Sequence, residues 1–141
     1  RAVTARLAAM LAEAPADAVL DSPPGVSCPA VNAVLDSDVV LLVTEPTPFG
    51  FSDFRLAHQA FAPLGKPLGV VVNRAGIGDR SVQDYCREHG LPVLAEIPYS
   101  RAVAEAYARG RVVAALGDEP AALFTGLRNN LRRLHAEAVH A

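Results

Sequence analysis

The residues of this chain that are best suited to chemistry lie in the segment Asp21-Ser22-Pro23-Pro24-Gly25-Val26-Ser27-Cys28-Pro29. The segment directly follows an apolar run, so we expect a short buried strand from Ala18 to Asp21 that delivers a carboxylate into a loop. An aspartate at the carboxyl end of a strand can hold a magnesium-bound water, and a glycine lets a backbone N–H approach a terminal phosphate where a Cβ would clash. The segment therefore favours a nucleotide switch with Asp21 and Gly25 as its catalytic residues. The alternative is a proline-stiffened turn whose aspartate caps a helix that begins near Pro29.

The composition indicates one packed domain. The chain has 141 residues, of which 51% are hydrophobic and 20% charged, so we expect a single domain over residues 1–141. A net charge of −2 with interspersed signs gives no electrostatic footprint for nucleic acid or for an anionic membrane. The apolar runs have the length of strands, so we expect no membrane span.

The cysteines and histidines do not form a metal-binding pattern. Cys28 and Cys86 lie far apart without CxxC spacing, which argues against a zinc site or a disulfide framework and fits a reducing cytoplasm. The four histidines also lack metal-ligand spacing, and we expect each on a solvated helix face. They are His58, His89, His135 and His140.

Two continuous apolar runs, at residues 39–43 and 68–72, predict strands that are covered on both faces. A further strand is expected at residues 93–97, Val-Leu-Ala-Glu-Ile. Continuous apolar runs, unlike alternating ones, are typical of parallel sheets buried between helices. Apolar residues at helical spacing separate the runs and supply those helices. We therefore predict an α/β fold with an open, mainly parallel sheet and helices on both faces.

Polar and proline residues predict where the helices begin. We expect helices from Ala2 to Ala12, from a cap at Ser52, from Ser81 with Asp84, from a cap at Ser100 and from a cap at Asp118. We also expect a short edge segment around residues 112–114.

The loops that follow the strands are expected to converge, because ligands of open parallel sheets bind outside the carboxyl ends of the strands. These loops are residues 22–29, 44–50, 73–80 and 98–101. Asn73 ends the run Val-Val-Val-Asn, and its amide offers a donor and an acceptor that suit the N6 and N7 edge of adenine. The alternative for Asn73 is an Asx turn.

Four of these segments resemble one family of nucleotide-dependent proteins, the MinD/ParA group of P-loop ATPases. DSPPGVSCP resembles the segment after the Walker B strand, and it is most similar to members that carry an inserted ferredoxin domain. TEPTPFGFSD resembles the family's TEPTPxGxxD, VVVNR its VVNK or VVNR, and IPYSRAV its IPYDRAV. The resemblance covers residues 3–113. Ser100 departs from the aspartate often found there, and Ala75 with Gly76 departs from the NKxD pattern of guanine readers, so guanine is disfavoured.

The resemblance implies roles for particular residues. Asp21 would orient the shell of Mg²⁺ and Gly25 would sense the γ-phosphate, in a loop stiffened by Pro23 and Pro24 that borders the nucleotide. Asn73, Arg74, Pro98 and Tyr99 would hold the adenine of ATP. Asp53 would approach the second subunit of a homodimer. The intact protein would carry a 4Fe–4S cluster in its ferredoxin insert and would exchange electrons with a partner.

Cys28 lies seven residues after Asp21, the offset at which the nitrogenase iron protein family places a cluster-ligating cysteine. The resemblance implies that Cys28 is a cluster ligand on the surface near Asp21. The competing interpretation is a structural cysteine in the core, since free cysteines are among the most often buried residues.

The sequence contains no GxxxxGK followed by Ser or Thr, and no other glycine-rich lysine loop. We therefore expect the carboxyl-terminal part of an ATPase domain, inactive by itself, without the Walker A strand and without the ferredoxin insert. Two alternatives stay open. One is a complete flavodoxin-like binding module without enzymatic activity, and the other is part of an ATP-dependent, cobyrinate-type amide ligase.

Overall fold

The three segments predicted to be strands form one parallel sheet. The computed structural model describes residues 2–13, 17–112 and 117–140. Its strands are β1 (Val40–Thr44), β2 (Leu68–Ala75) and β3 (Val93–Pro98), in the order β1-β2-β3. Both pairings are parallel. Val70, Val71 and Val72 of the central strand are at most 1% exposed, so β2 is buried on both faces as the continuous apolar pattern predicts.

Six helices and one short 3₁₀ turn accompany the sheet in the described part of the chain. They are α1 (Ala2–Glu13), α2 (Cys28–Leu35), α3 (Pro48–Phe61) with the 3₁₀ turn Ala62–Leu64, α4 (Ser81–Glu88), α5 (Arg101–Ala108) and α6 (Asp118–Val139). Within this part, every helix is too short or too polar to span a bilayer.

Helices cover both faces of the sheet. On one face the core joins the strands to α2, α3 and α4, with Val34, Phe54 and Val82 as representative contacts. On the other face, Asn130 of α6 donates a hydrogen bond from Nδ2 to the carbonyl oxygen of Leu94, at 2.8 Å. A Cβ on Gly69 would overlap the Leu94 side chain, so this glycine allows close packing there. The predicted α/β fold with an open parallel sheet is confirmed.

The predicted strand from Ala18 to Asp21 is wrong. These residues have no regular structure, and Val19 is 95% exposed. A strand needs hydrogen-bonding partners on a neighbouring strand, and β1, at the edge of the described sheet, pairs only with β2. The segment is instead tied to α6 by an ion pair between Asp17 and Arg132, at 2.6 Å.

Two of the predicted helix starts differ in detail from the structure. α3 begins at Pro48, with Thr47 as its cap, because the Thr47 hydroxyl accepts from the Gly50 N–H at 3.0 Å; Ser52 is not the cap. Asp118 is the first residue of α6 and Gly117 is its cap. The cap at Ser100 is confirmed, since its hydroxyl accepts from the Val103 N–H. α4 begins at Ser81 as predicted, but the Asp79 carboxylate accepts the Ser81 N–H at 2.9 Å. The edge segment expected around residues 112–114 falls mostly outside the described residues.

Candidate functional site

The loop after β1 is a tight turn that holds Glu45 at the carboxyl edge of the sheet. Thr44 is buried and donates a hydrogen bond from its hydroxyl to the Gly50 carbonyl oxygen, at 3.0 Å. A Cβ on Gly50 would lie 2.6 Å from the Glu45 carbonyl oxygen, so only glycine allows the turn to close this tightly. The prolines Pro46 and Pro48 stiffen the same turn.

The end of β2 carries a bulge with a strained residue. Asn73 is paired with Ile97 and Ala75 with Pro98, so Arg74 is the extra residue on its strand. Arg74 has φ of 53°, the left-handed region, which costs a residue with a Cβ about 1–2 kcal/mol. Bulges and residues with strained backbone are both over-represented at functional sites.

The side chain of Asn73 supports this bulge. Its Oδ1 accepts a hydrogen bond from the Arg74 N–H at 3.0 Å, a local bond of the kind expected from the Asx alternative. The bond uses one lone pair of Oδ1 and leaves the second lone pair and the NH₂ group to meet a ligand. The two interpretations of Asn73 are therefore compatible, because the local bond orients the amide while a donor and an acceptor stay free for recognition.

The start of the loop after β3 lies against the bulge. The Tyr99 N–H donates to the Ala75 carbonyl oxygen at 3.1 Å, and Tyr99 is 53% exposed. Asn73, Arg74, Pro98 and Tyr99 thus lie on the ends of two adjacent strands, as the sequence predicts. Their role in holding a base stays a prediction.

Two contacts join the loops after β1 and β2. The Arg74 guanidinium lies 3.4 Å from the Glu45 carboxylate. Gly78 packs directly on Pro46, since a Cβ on Gly78 would overlap the Pro46 carbonyl group. Sequence reasoning missed Glu45 and Gly78. The glycine at Gly78 was visible, but a close approach between two loops is not encoded by local spacing.

The segment from Asp21 to Ser27 is exposed throughout. Gly25 has φ of 78°, so glycine is required at this position. At its end, the Ser27 carbonyl oxygen accepts from the Val31 N–H at 3.0 Å, in the first turn of α2. The contacts of the described residues do not join Asp21, Pro23, Pro24 or Gly25 to the other three loops, and the phosphate-side role of these residues stays a prediction.

The two cysteines occupy opposite environments. Cys28 is the first residue of α2 and is exposed, so the interpretation of Cys28 as a core cysteine is wrong. Cys86 is buried in the core, and this burial raises the pKa of its thiol to about 11. An iron–sulfur cluster takes four ligands as a rule, and this chain offers one accessible cysteine, so the described chain alone does not fit a complete cluster.

The proposed magnesium site involves one carboxylate of this chain, that of Asp21. Among the described residues, no three His, Cys, Asp or Glu side chains are arranged to hold a metal ion. Mg²⁺ is commonly bound by one or two carboxylates, substrate phosphates and waters, so a single aspartate at Asp21 fits that mode.

Asp53 lies on an exposed face of α3 between two apolar side chains. Phe49 is 77% exposed and Leu56 is 56% exposed, and both lie within about one turn of Asp53 on that face. The exposed apolar pair was not predicted from the sequence, because the helix start was placed at Ser52, after Phe49.

The chain is similar in sequence to a curated protein and in structure to a solved ATPase. No protein-family model matches the chain. Over 92 residues it is 35% identical to an uncharacterized protein of Methanocaldococcus jannaschii, a match that covers 65% of this chain and 31% of that protein. The crystal structure of the cell division ATPase MinD from Pyrococcus furiosus matches with a TM-score of 0.65 and 27% identity, over 81% of this chain and 50% of that one.

The chain spans less than a third of the curated relative and half of the solved one. The resemblance to the MinD group read from short motifs is thus matched by a similar backbone. Over the matched part, this chain has an ATPase-like, nucleotide-binding fold similar to that of MinD.

Proposed function

We propose that this chain supplies the adenine side and the magnesium-side aspartate of a MinD-like ATPase. The observation that carries the proposal is the bulge at the end of β2, where Asn73 and the strained Arg74 lie beside Pro98 and Tyr99 in a fold similar to that of MinD. The 27% identity to MinD favours an ATPase over a flavodoxin-like module.

Each of these residues has a proposed role. The Asn73 amide donates to and accepts from the adenine edge, and the backbone around Pro98 and Tyr99 borders the base. The Arg74 side chain pairs with Glu45 of the loop after β1, and the two side chains border the same edge of the site. Asp21 would orient a magnesium-bound water, and Mg²⁺ would supply charge stabilisation to the phosphates when bound.

The phosphate side needs groups that these 141 residues do not contain. Phosphoryl transfer depends on a glycine-rich loop and its lysine, and the loss of a single stabilising donor can cost about 10²- to 10³-fold in rate. The sequence has no such loop, so hydrolysis is a property that we propose for a longer protein and not for this chain alone.

The proposed partner contacts rest on the resemblance to the MinD/ParA group and on the exposure of two residues, Asp53 and Cys28. Asp53, flanked by exposed Phe49 and Leu56, is the proposed contact with a second subunit. Cys28, exposed at the start of α2, is the proposed contribution of this chain to an iron–sulfur centre coupled to ATP. An electron-transfer partner belongs to the same proposal.

A nucleoside titration followed by NMR tests the adenine side directly. Adenosine should shift the amide signals of Asn73, Arg74 and Tyr99 with a dissociation constant of roughly millimolar size, while guanosine should not. The variant Asn73→Ala should lose the response. The control Asn129→Ala, on the exposed side of α6, should keep it. Equal shifts by both nucleosides would contradict the assignment.

A further inference from the structure

Tyr85 of α4 is the centre of an aromatic cluster that joins α4 to α3. Its ring lies edge-on against Phe51 and Phe54 of α3, with centroid distances of 5.8 and 5.5 Å. Cys86, the next residue, is buried in the core. The Tyr85 ring therefore packs between the two helices.

Two histidines complete the cluster. The Nδ1 atom of His58, on α3, lies 2.9 Å from the Tyr85 hydroxyl oxygen. The His89 ring stacks on the Tyr85 ring with centroids 3.9 Å apart and an angle of 22° between planes. The centroids of the two imidazoles are 5.5 Å apart. His58 is half-buried, in contrast to the solvated position that its sequence context predicts.

The hydrogen bonds of the two histidines indicate where their hydrogens lie. His89 Nδ1 lies 3.0 Å from the Tyr85 carbonyl oxygen. A carbonyl oxygen only accepts, so the His89 Nδ1 carries a hydrogen. Neutral His58 can accept the Tyr85 hydroxyl hydrogen at Nδ1. Protonated His58 must donate there, so Tyr85 has to turn its own hydrogen away.

Charge on the His58 ring is unfavourable in this position. Burial lowers the pKa of His58, and the charge of His89 lowers it further. The other charged residues of the two helices are Asp53, Arg55, Asp84, Arg87 and Glu88. The Arg55 cation lies over the Phe51 ring, and Arg87 pairs with Asp84 at 3.1 Å. Arg55 is a cation, and the Asp84 carboxylate is already paired with Arg87, so neither gives His58 a compensating negative charge.

We propose that the His58–Tyr85–His89 cluster is a proton-sensitive contact between α3 and α4, closed when His58 is neutral and loosened as the pH falls. α3 begins at the turn that holds Glu45, and α4 begins just after Gly78. Loosening of the contact therefore affects the two helices that directly follow the loops after β1 and β2.

The direction of the pH effect follows from the lowered pKa of His58. As the pH falls below the ordinary value of 6.5, the unfolded chain binds a proton at this position before the folded chain does. The stabilising contribution of neutral His58 is thus present above about pH 6.5 and is lost as the pH falls toward the folded-state pKa.

An NMR titration of the histidine ring protons tests the coupling in the full chain. His58 should titrate with a midpoint below 6.5 in the wild type. In His89→Gln the midpoint should rise, because the charge of His89 contributes to lowering the pKa of His58. The control His135→Gln, on the exposed side of α6, should leave it unchanged. A His58 midpoint that is the same in the wild type and in His89→Gln would overturn the proposal.

Urea unfolding at several pH values tests the effect of the contact on the stability of the fold. The unfolding midpoint of the wild type should fall between pH 7.5 and 5.5 by more than that of His58→Gln, and His135→Gln should behave as the wild type. If His58→Gln does not fold, Tyr85→Phe, which keeps the ring and removes the hydroxyl, replaces it and should also show a weaker fall. An equal fall in the wild type and in the folded variant would overturn the proposal.

Discussion

The Arg74 guanidinium lies 3.4 Å from the Glu45 carboxylate, so a residue with left-handed backbone is also the residue that joins two loops of the candidate site. Both side chains are partly exposed, and such pairs contribute at most about 1 kcal/mol. That is too little to offset the backbone strain of Arg74 by itself. The hydrogen bond from the Arg74 N–H to Asn73 and the strand pairing on either side of the bulge must supply the rest.

The strain at Arg74 can be measured with a pair of substitutions. Arg74→Gly and Arg74→Ala both remove the ion pair, but only glycine relieves the left-handed φ, so the glycine variant should be more stable by about 1 kcal/mol in urea unfolding. Arg87 is the matched control, because it is an exposed arginine inside α4 that also makes an ion pair, with Asp84 at 3.1 Å. There the order should reverse, with glycine less stable than alanine by about 0.5–1 kcal/mol. The same order at both positions would contradict strain at Arg74.

Gly78 should tolerate no side chain. Gly78→Ala places a methyl group against the Pro46 carbonyl group, so we expect a loss of about 1–3 kcal/mol in the free energy of unfolding. Gly126→Ala, in the middle of α6 and facing open space, should instead stabilise the chain by about 0.5–1 kcal/mol. Adenosine-induced NMR shifts at Asn73 should weaken in Gly78→Ala if the joined loops position the base site. Unchanged stability would show that the loops are not in close contact.

The sequence was informative where local patterns decide the structure. The continuous apolar runs predicted β1 and β2, because parallel strands buried on both faces leave no alternation. The alternation of helix and strand along the chain predicted β3. The strand at Ala18 failed for the opposite reason: a run of three apolar residues becomes a strand only beside another strand, and local spacing does not encode whether a neighbour is present. The missed cap at Thr47 has a simple cause, since Pro48 at the first helical position was read as turn punctuation.

The site was predictable in part. The residues at the ends of β2 and β3 converge because chain order and parallel pairing require it. The bulge at Arg74 and the contact of Gly78 with Pro46 are tertiary features with no signal in spacing. The half-buried position of His58 is similar, since it depends on the packing of Tyr85 between two helices.

The two cysteines should differ sharply in reactivity. A thiol reagent that absorbs on reaction should modify one cysteine quickly in the folded chain, because Cys28 is exposed, while Cys86 is buried and its pKa is raised to about 11. Since the thiolate is the reactive form, Cys86 should stay slow at all pH values well below 11. Cys28→Ser should abolish the fast phase, and Cys86→Ala should leave it unchanged. Two fast thiols in the folded wild type would mean that the core around Cys86 opens readily.

The last prediction concerns ATP itself. Calorimetry with Mg²⁺ and ATP should show no binding of micromolar affinity to this chain, and phosphate release should stay at background. The reason is that the groups proposed here contact the base and a magnesium-bound water, while most of the affinity and rate in P-loop enzymes comes from the glycine-rich loop and its lysine. Asp21→Asn should therefore change neither result in this chain, whereas in a longer protein that contains the loop it should strongly reduce hydrolysis. Micromolar binding that Asp21→Asn weakens would reveal a phosphate site formed by these 141 residues alone, and it would require a different account of the exposed loop from Asp21 to Ser27.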